Sequence, residues 1–268
     1  METTISTDGT AIAYDRSGTG NPLILVGGAS CDRRIYLSHA AALAEHFTVF
    51  NYDRRGRGDS TDTPPYAVDR EIDDIAAVAA VAGADPVLVG LSSGAVLAAR
   101  AAARLPVAAL VMWDPPFAVD EAGQHAARAY AAELGSLLAG GDQEGAFALF
   151  LRTVGMPEPM IAGMRQSPYW AAGVALAHTL AYDAAVMDGG GVPDALFSQL
   201  RVPSLVLAGE AVFAGGAEDS PSLSNGARAA ASAIEGAEFR TLDGQTHDVD
   251  PGALADAVAG FVVAAGSR

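Results

Sequence analysis

The chain has 268 residues, half of them hydrophobic, and a formal net charge of −16 from 16 basic and 32 acidic side chains. A surface this acidic repels phosphate groups, so we expect neither a nucleic acid nor a membrane as a partner. The sequence shows no apolar run of membrane-spanning length and no secretory signal, and its single cysteine, Cys31, excludes an internal disulfide; these features favour a cytoplasmic protein.

The first part of the chain alternates predicted strands and helices. Alternating apolar and polar residues around Asp8-Gly9 predict a hairpin. The continuous apolar run at 22–28 predicts a buried central strand that ends in glycines. The elements predicted next are a helical stretch up to His46, a strand at 47–53, a helix at 70–83, a strand at 86–91, an alanine-rich helix, and a strand at 107–114.

The alternation stops between residues 115 and 200, where the sequence predicts only helices separated by Gly and Pro. It resumes with strands at 203–209 and 237–242, each followed by a helix. Strands that alternate with helices predict an α/β fold with a mainly parallel sheet covered on both faces. We therefore predict a core formed by residues 1–114 and 201–268, with a helical cap inserted at 115–200.

The sequence Gly90-Leu91-Ser92-Ser93-Gly94 lies between a predicted strand and a predicted helix. A G-x-S-x-G sequence in this context lets the central serine take a strained backbone conformation, because the flanking glycines carry no side chains that would clash. The pattern predicts Ser92 as a nucleophile, and Ser93 as the donor of a backbone N–H to an oxyanion hole. The alternative is a serine that only caps the helix.

A catalytic serine needs a base, and the chain has five histidines. His247 follows the last predicted strand in a short polar loop, where the chain order serine, acid, histidine places the base. We predict that its imidazole takes the serine proton and later protonates the leaving group. His39, His46 and His125 are expected to be ordinary packed or exposed side chains, whereas His178 faces either the core of the cap or the pocket beneath it.

Three segments give the chain a resemblance to the α/β-hydrolase superfamily. They are the strand LILVGG, the loop YDRRGRGDS at 52–60 and the loop LDGQTHDVDP at 242–251. The resemblance implies an α/β-hydrolase fold, a cap over the active site and a second oxyanion donor after the third strand. Members of the superfamily often have a His-Gly pair at the end of the third strand, and this chain has Val26-Gly27 there. The resemblance places the oxyanion donor one residue after that pair, so the implied donor is the amide of Gly28. In more detail, the chain resembles small cap-containing hydrolases of actinobacterial type.

The acid of the triad departs from the usual pattern of that superfamily. A carboxylate normally lies two residues after a Gly-Glu pair in the loop that follows the strand at 203–209, and here the corresponding position is Val212. The zearalenone lactonases, which this chain resembles in its Ser-Ser-Gly turn, place the acid at the end of the sixth strand. By that resemblance we predict Asp114, which would accept the Nδ1–H of His247 and fix its tautomer. The remaining candidates are Glu210, Glu218 and Asp219.

The predicted cap is rich in Ala, Leu, Met and aromatic residues, so we expect a substrate with a largely apolar acyl or alcohol group. Trp170, His178 and Tyr182 are predicted to contribute to its binding, and Thr179 and Asp183 are polar residues close to His178. The histidines are scattered and no nucleotide-binding glycine loop follows a strand, so no metal and no cofactor are expected.

The predicted function is hydrolysis of an ester, lactone or thioester of a small molecule through an acyl-enzyme on Ser92, by a monomer or homodimer. Two alternatives remain open. One is a non-hydrolytic enzyme of the same fold in specialised metabolism, such as a lyase or cyclase, or a C–C bond hydrolase. The other is a binding protein with a relict triad.

Overall fold

The computed structural model describes residues 1–211 and 223–266, and the side chain of Ala211 is outside the description. The strands of this part are β1 (Glu2–Ile5), β2 (Ala11–Ser17), β3 (Pro22–Val26), β4 (Thr48–Tyr52), β5 (Val87–Leu91), β6 (Ala109–Trp113), β7 (Ser204–Ala211) and β8 (Glu238–Thr246). They form one sheet in the spatial order β1-β2-β4-β3-β5-β6-β7-β8. The predicted α/β-hydrolase fold is confirmed by this arrangement.

In this spatial order the strands from β4 through β3 to β8 pair in parallel. At one edge β1 pairs with β2, and β2 with β4, in antiparallel orientation. The predicted hairpin joins these two strands. Gly9 has a φ of 88°, a left-handed conformation that glycine adopts without steric cost, and its amide donates to the Ser6 carbonyl. Because β3, β5 and β6 lie inside the parallel part, they are covered on both faces and read as continuous apolar runs.

The helices of the described residues are α1 (Leu37–Leu43), α2 (Val68–Ala82), α3 (Ser93–Ala102), α4 (Glu121–Ala139), α5 (Gln143–Thr153), α6 (Glu158–Met164), α7 (Pro168–Ala175), α8 (Leu180–Met187), α9 (Asp194–Phe197), α10 (Leu223–Ala233) and α11 (Pro251–Gly266). Side chains of α2, α3 and α10 pack on one face of the sheet, against residues such as Ile24 and Leu88. Those of α1 and α11 pack on the other face, against Leu23 and Val87. The strand residues alternate between the two faces because successive side chains of a strand point in opposite directions.

Helices α4 to α9 lie between β6 and β7, in the segment 115–200 that we name the cap segment. Every residue of this segment is described, and none lies in a strand, although Ala118 and Gly191 form an isolated bridge. The cap segment has a hydrophobic cluster of its own, which includes Leu134 and Phe147, and Ala29 of the loop after β3 packs against it. The cap segment therefore contacts the carboxyl end of the sheet.

Candidate active site

Ser92 occupies a strained turn between β5 and α3. Its backbone has φ 55° and ψ −126°, outside the regions that residues with a side chain usually adopt. Added Cβ atoms at Gly90 and Gly94 would overlap backbone atoms: those of Gly94 and Ala95 at the first position, and those of Val26 and Gly27 at the second. Both glycines are thus required for the close approach of α3 to β3 and β5 that this turn produces.

Ser93 is the first residue of α3, so its amide has no acceptor within the helix. Its hydroxyl is buried and donates to Asp183 Oδ1 at 2.8 Å. The two adjacent serines therefore differ in their surroundings. Ser92 lies on the strained turn, whereas the Ser93 side chain connects α3 to helix α8 of the cap segment.

Asp114 follows β6 directly and lies next to His247, which follows β8. His247 Nδ1 is 3.2 Å from Asp114 Oδ2, and Asp114 Oδ1 accepts a hydrogen bond from the Gly209 amide at 3.2 Å. Asp114 is 1% exposed and has a positive φ of 43°. Like Ser92, it is a non-glycine residue in the left-handed region, where strain frequently accompanies function.

Trp113 forms hydrogen bonds with both Ser92 and His247. The Ser92 amide donates to the Trp113 carbonyl at 2.9 Å, and the Trp113 indole N–H donates to the His247 carbonyl at 2.9 Å. A further bond joins His39 Nε2 to the Val249 carbonyl at 2.9 Å. These contacts fix the loop of His247 beside the carboxyl ends of β5 and β6, where Ser92 and Asp114 lie.

The other predicted candidates for the acid lie elsewhere. Glu210 is exposed, and its Oε2 accepts a hydrogen bond from the Gly244 amide at 2.8 Å. Glu218 and Asp219 are outside the described residues. Among these carboxylates, Asp114 is the one that the structure shows next to His247.

Gly28, the predicted second oxyanion donor, lies beside the nucleophile. A Cβ added at Gly28 would be 3.2 Å from Ser92 Cβ. However, the Gly28 amide already donates to the Tyr36 hydroxyl at 3.1 Å. Sequence reasoning missed Tyr36, which lies in a short 3₁₀ helix before α1 and carries no recognisable catalytic pattern.

Four charged side chains are buried behind the Ser92 turn. Arg54 makes two bonds of 2.7 Å to Glu71 and one of 2.7 Å to Asp183 Oδ1. Arg57 donates to Asp183 Oδ2 at 2.8 Å. The two guanidinium groups also bond to the loop after β3, because Arg54 donates to the carbonyl of residue 27 at 3.3 Å and Arg57 to that of residue 28 at 2.6 Å. The sequence signal for this cluster is the arginine-rich loop YDRRGRGDS, whose role was not inferred.

Asp183 forms ion pairs with both arginines, and Glu71 carries the second negative charge of the cluster. Burial by itself would raise the pKa of its carboxyl, but the charges of Arg57 and Arg54 outweigh this effect and lower the pKa below the usual value. A carboxylate with a lowered pKa stabilises the fold above its ordinary pKa, and the contribution is lost as the pH falls through the lowered value. The cluster thus links helix α8 to the loop that carries Gly28.

We expect Asp183→Asn to lower the free energy of unfolding by about 3–5 kcal/mol, because it leaves an uncompensated positive charge in a buried cluster. Asparagine has nearly the same volume, so the change removes charge and little else. Urea unfolding at neutral pH measures the effect. Asp188→Asn is the control, since Asp188 is 84% exposed and 3.8 Å from Arg100, and it should change stability little. Equal losses in the two variants would contradict the assignment.

The three residues predicted to bind substrate lie within or at the base of the cap segment. Trp170 is 7% exposed and packs against Phe147, with the Arg165 guanidinium 4.3 Å from its ring. Tyr182 stacks on Tyr66 and donates to Asp62 at 2.7 Å, and His178 Nε2 is 4.0 Å from the same carboxylate. These contacts place Trp170 in the cluster of the cap segment, and His178 and Tyr182 against the loop after β4. Their role in substrate binding stays a prediction.

Among residues 1–211 and 223–266, no group of three or more His, Cys, Asp and Glu side chains could hold a metal ion. Nor does any helix in that part of the chain have the length and apolar character needed to cross a membrane.

Comparison with known proteins agrees with the fold. A sequence model described as the alpha/beta hydrolase family matches residues 23–259. An alpha/beta hydrolase from Sphaerobacter thermophilus DSM 20745 is 42% identical, with a TM-score of 0.85 over 97% of this chain and 99% of the other. The chain therefore belongs to the alpha/beta hydrolase family, and it is an enzyme of that superfamily.

More distant solved structures share the fold. A thermophilic esterase from Thermogutta terrifontis is 23% identical, with a TM-score of 0.68 over 98% of this chain and 97% of the other. The enol-lactonase from Burkholderia xenovorans LB400 is 21% identical, with a TM-score of 0.62 over the full length of both chains. At these identities the likeness concerns the fold.

Proposed function

We propose that the protein is a serine hydrolase that cleaves an ester or lactone, thioesters included, of a small and largely apolar molecule. The observation that carries the proposal is the strained turn of Ser92 beside the Asp114–His247 pair, in which His247 Nδ1 is 3.2 Å from Asp114 Oδ2. The esterase and lactonase activities named for two proteins of the same fold support this class of substrate.

In the proposed mechanism, Ser92 Oγ attacks the carbonyl carbon of the substrate and His247 Nε2 takes the serine proton. Asp114 accepts the Nδ1–H of His247, which fixes the tautomer and stabilises the imidazolium. The Ser93 amide at the start of α3 stabilises the oxyanion, and a second donor beside Gly28 completes the oxyanion hole. His247 then protonates the leaving alcohol, and an activated water releases the acid from Ser92. None of these steps requires a metal or a cofactor.

Labelling with an alkyl fluorophosphonate tests the proposal, because the reagent phosphonylates a serine only when a base activates it. We expect a single adduct on the peptide that contains Ser92, and turnover of p-nitrophenyl esters and lactones in a chain-length series. Folded protein that stays unlabelled at Ser92 would favour a binding role. Labelling without hydrolysis of any ester or lactone would favour a non-hydrolytic enzyme.

A further inference from the structure

The Gly28 amide already has a hydrogen-bond acceptor within the protein. It donates to Tyr36 Oη at 3.1 Å, whereas an oxyanion donor must direct its N–H at the substrate oxygen. The peptide between residues 27 and 28 is held at its other end too, since Arg54 donates to its carbonyl oxygen at 3.3 Å. In a trans peptide the C=O and N–H point in opposite directions, so the two contacts fix one orientation of the peptide plane. Rotation of the amide toward a substrate would break both.

The Tyr36 hydroxyl is suited to act as the oxyanion donor in place of the Gly28 amide. A phenolic O–H can accept a hydrogen bond with a lone pair and donate its own proton elsewhere. Because Tyr36 Oη accepts from Gly28, its proton is directed away from that amide. Burial, the largest influence, raises the pKa of the Tyr36 hydroxyl well above its usual value, so the group keeps its proton throughout the working pH range.

The position of the hydroxyl is near the nucleophile. A Cβ at Gly28 would lie 3.1 Å from the Leu91 carbonyl oxygen, 3.2 Å from Ser92 Cβ and 3.3 Å from Tyr36 Oη, so the nucleophile and the phenol both border Gly28 closely. We infer that a carbonyl oxygen attacked by Ser92 Oγ comes within reach of the Tyr36 hydroxyl. The ring of Tyr36 packs directly on Gly27: a Cβ added at Gly27 would lie 2.8 Å from Tyr36 Cε2.

Cys31 is the neighbouring group that competes for the phenolic proton. Its side chain interacts with the Tyr36 hydroxyl, and burial raises the pKa of the thiol, so sulfur is present as the neutral SH. A neutral thiol is a weak hydrogen-bond acceptor, whereas an oxyanion is a strong one. The Tyr36 hydroxyl therefore donates its hydrogen bond to the oxyanion, in preference to the Cys31 sulfur, as negative charge develops on the substrate oxygen.

We propose that the Tyr36 hydroxyl is the second oxyanion donor, polarised by the Gly28 amide behind it, and that it acts together with the Ser93 amide. The inference deepens the proposed serine hydrolase function and rests on it. When the bond from Ser92 Oγ to carbon forms, the carbonyl π pair moves to oxygen, and Tyr36 stabilises that charge through a hydrogen bond without giving up its proton.

Tyr36→Phe tests the assignment, because it removes the hydroxyl and keeps the ring that packs on Gly27. With p-nitrophenyl butyrate we expect kcat to fall by about 10²- to 10³-fold with little change in KM, since the lost bond forms only in the transition state. Phosphonylation of Ser92 by the fluorophosphonate should slow as well. Tyr52→Phe is the matched control, because the buried Tyr52 hydroxyl has no hydrogen-bond partner among the described residues, and we expect it to keep the wild-type rate.

Undiminished turnover in Tyr36→Phe would overturn the inference, because it would mean that the freed Gly28 amide binds the oxyanion itself. An equal loss in Tyr52→Phe would overturn it too. Should Tyr36→Phe not fold, the crystal structure of the phosphonylated wild-type protein decides. Tyr36 Oη within hydrogen-bond distance of the adduct oxygen supports the inference, and a Gly28 amide turned to that oxygen overturns it. Wild-type protein that is not labelled at Ser92 would instead reject the proposed function.

Discussion

Ser92→Ala is expected to reduce kcat for p-nitrophenyl esters by about 10³-fold or more and to abolish fluorophosphonate labelling. The physical reason is the loss of the hydroxyl that the strained turn between β5 and α3 presents beside the Asp114–His247 pair. The substitution removes one atom from a half-buried side chain, so the protein should remain folded. Steady-state kinetics, with circular dichroism as the folding check, measures the effect.

Ser93→Ala is the matched control for this variant. It keeps the backbone amide that we assign to the oxyanion hole, so most of the activity should remain. It also removes the hydrogen bond from Ser93 Oγ to the buried Asp183 carboxylate, and a bond to a charged group contributes about 1.5–3 kcal/mol. We therefore expect a lower melting temperature with preserved turnover. The opposite ranking, with an active Ser92→Ala and an inactive Ser93→Ala, would overturn the choice of nucleophile.

Asp114→Asn is expected to lower kcat by about 10²- to 10⁴-fold while the fold stays intact. An asparagine amide that donates to His247 Nδ1 stabilises the wrong tautomer and cannot stabilise the imidazolium. Its carbonyl can still accept the hydrogen bond from the Gly209 amide that Asp114 Oδ1 accepts now. Comparison of kcat and melting temperature with those of the wild type separates loss of catalysis from loss of structure.

Glu210→Gln is the control for the acid. Glu210 is exposed and bonds to the Gly244 amide, so its neutralisation should leave kcat at the wild-type value. Loss of turnover in Glu210→Gln, or in neutral variants of Glu218 or Asp219, together with a fully active Asp114→Asn, would show that another carboxylate orients His247. Such a result would leave the assignment of Ser92 untouched.

Local patterns in the sequence were sufficient for much of the fold. The hairpin at Asp8-Gly9, the buried central strands and the helical segment between β6 and β7 all follow from hydrophobic periodicity and from the positions of glycine and proline. The predicted nucleophile turn also depends on neighbouring residues alone, because Gly90 and Gly94 must leave room for adjacent backbone. Periodicity and steric exclusion operate over a few residues, so a single sequence contains them.

The sequence by itself thus determined the alternation of elements, the strained position of Ser92 and the loop of His247. Only the tertiary structure decided which partners these residues have. Asp114 and His247 are 133 residues apart in the chain, and Ser93 and Asp183 are 90 apart. The pairing of Tyr36 with the Gly28 amide likewise depends on how the 3₁₀ helix before α1 packs on the loop after β3. Contacts of this kind arise from the order of strands in the sheet and from the packing of α8 on α3. Local residue patterns predict neither of these, because both depend on residues far apart in the chain.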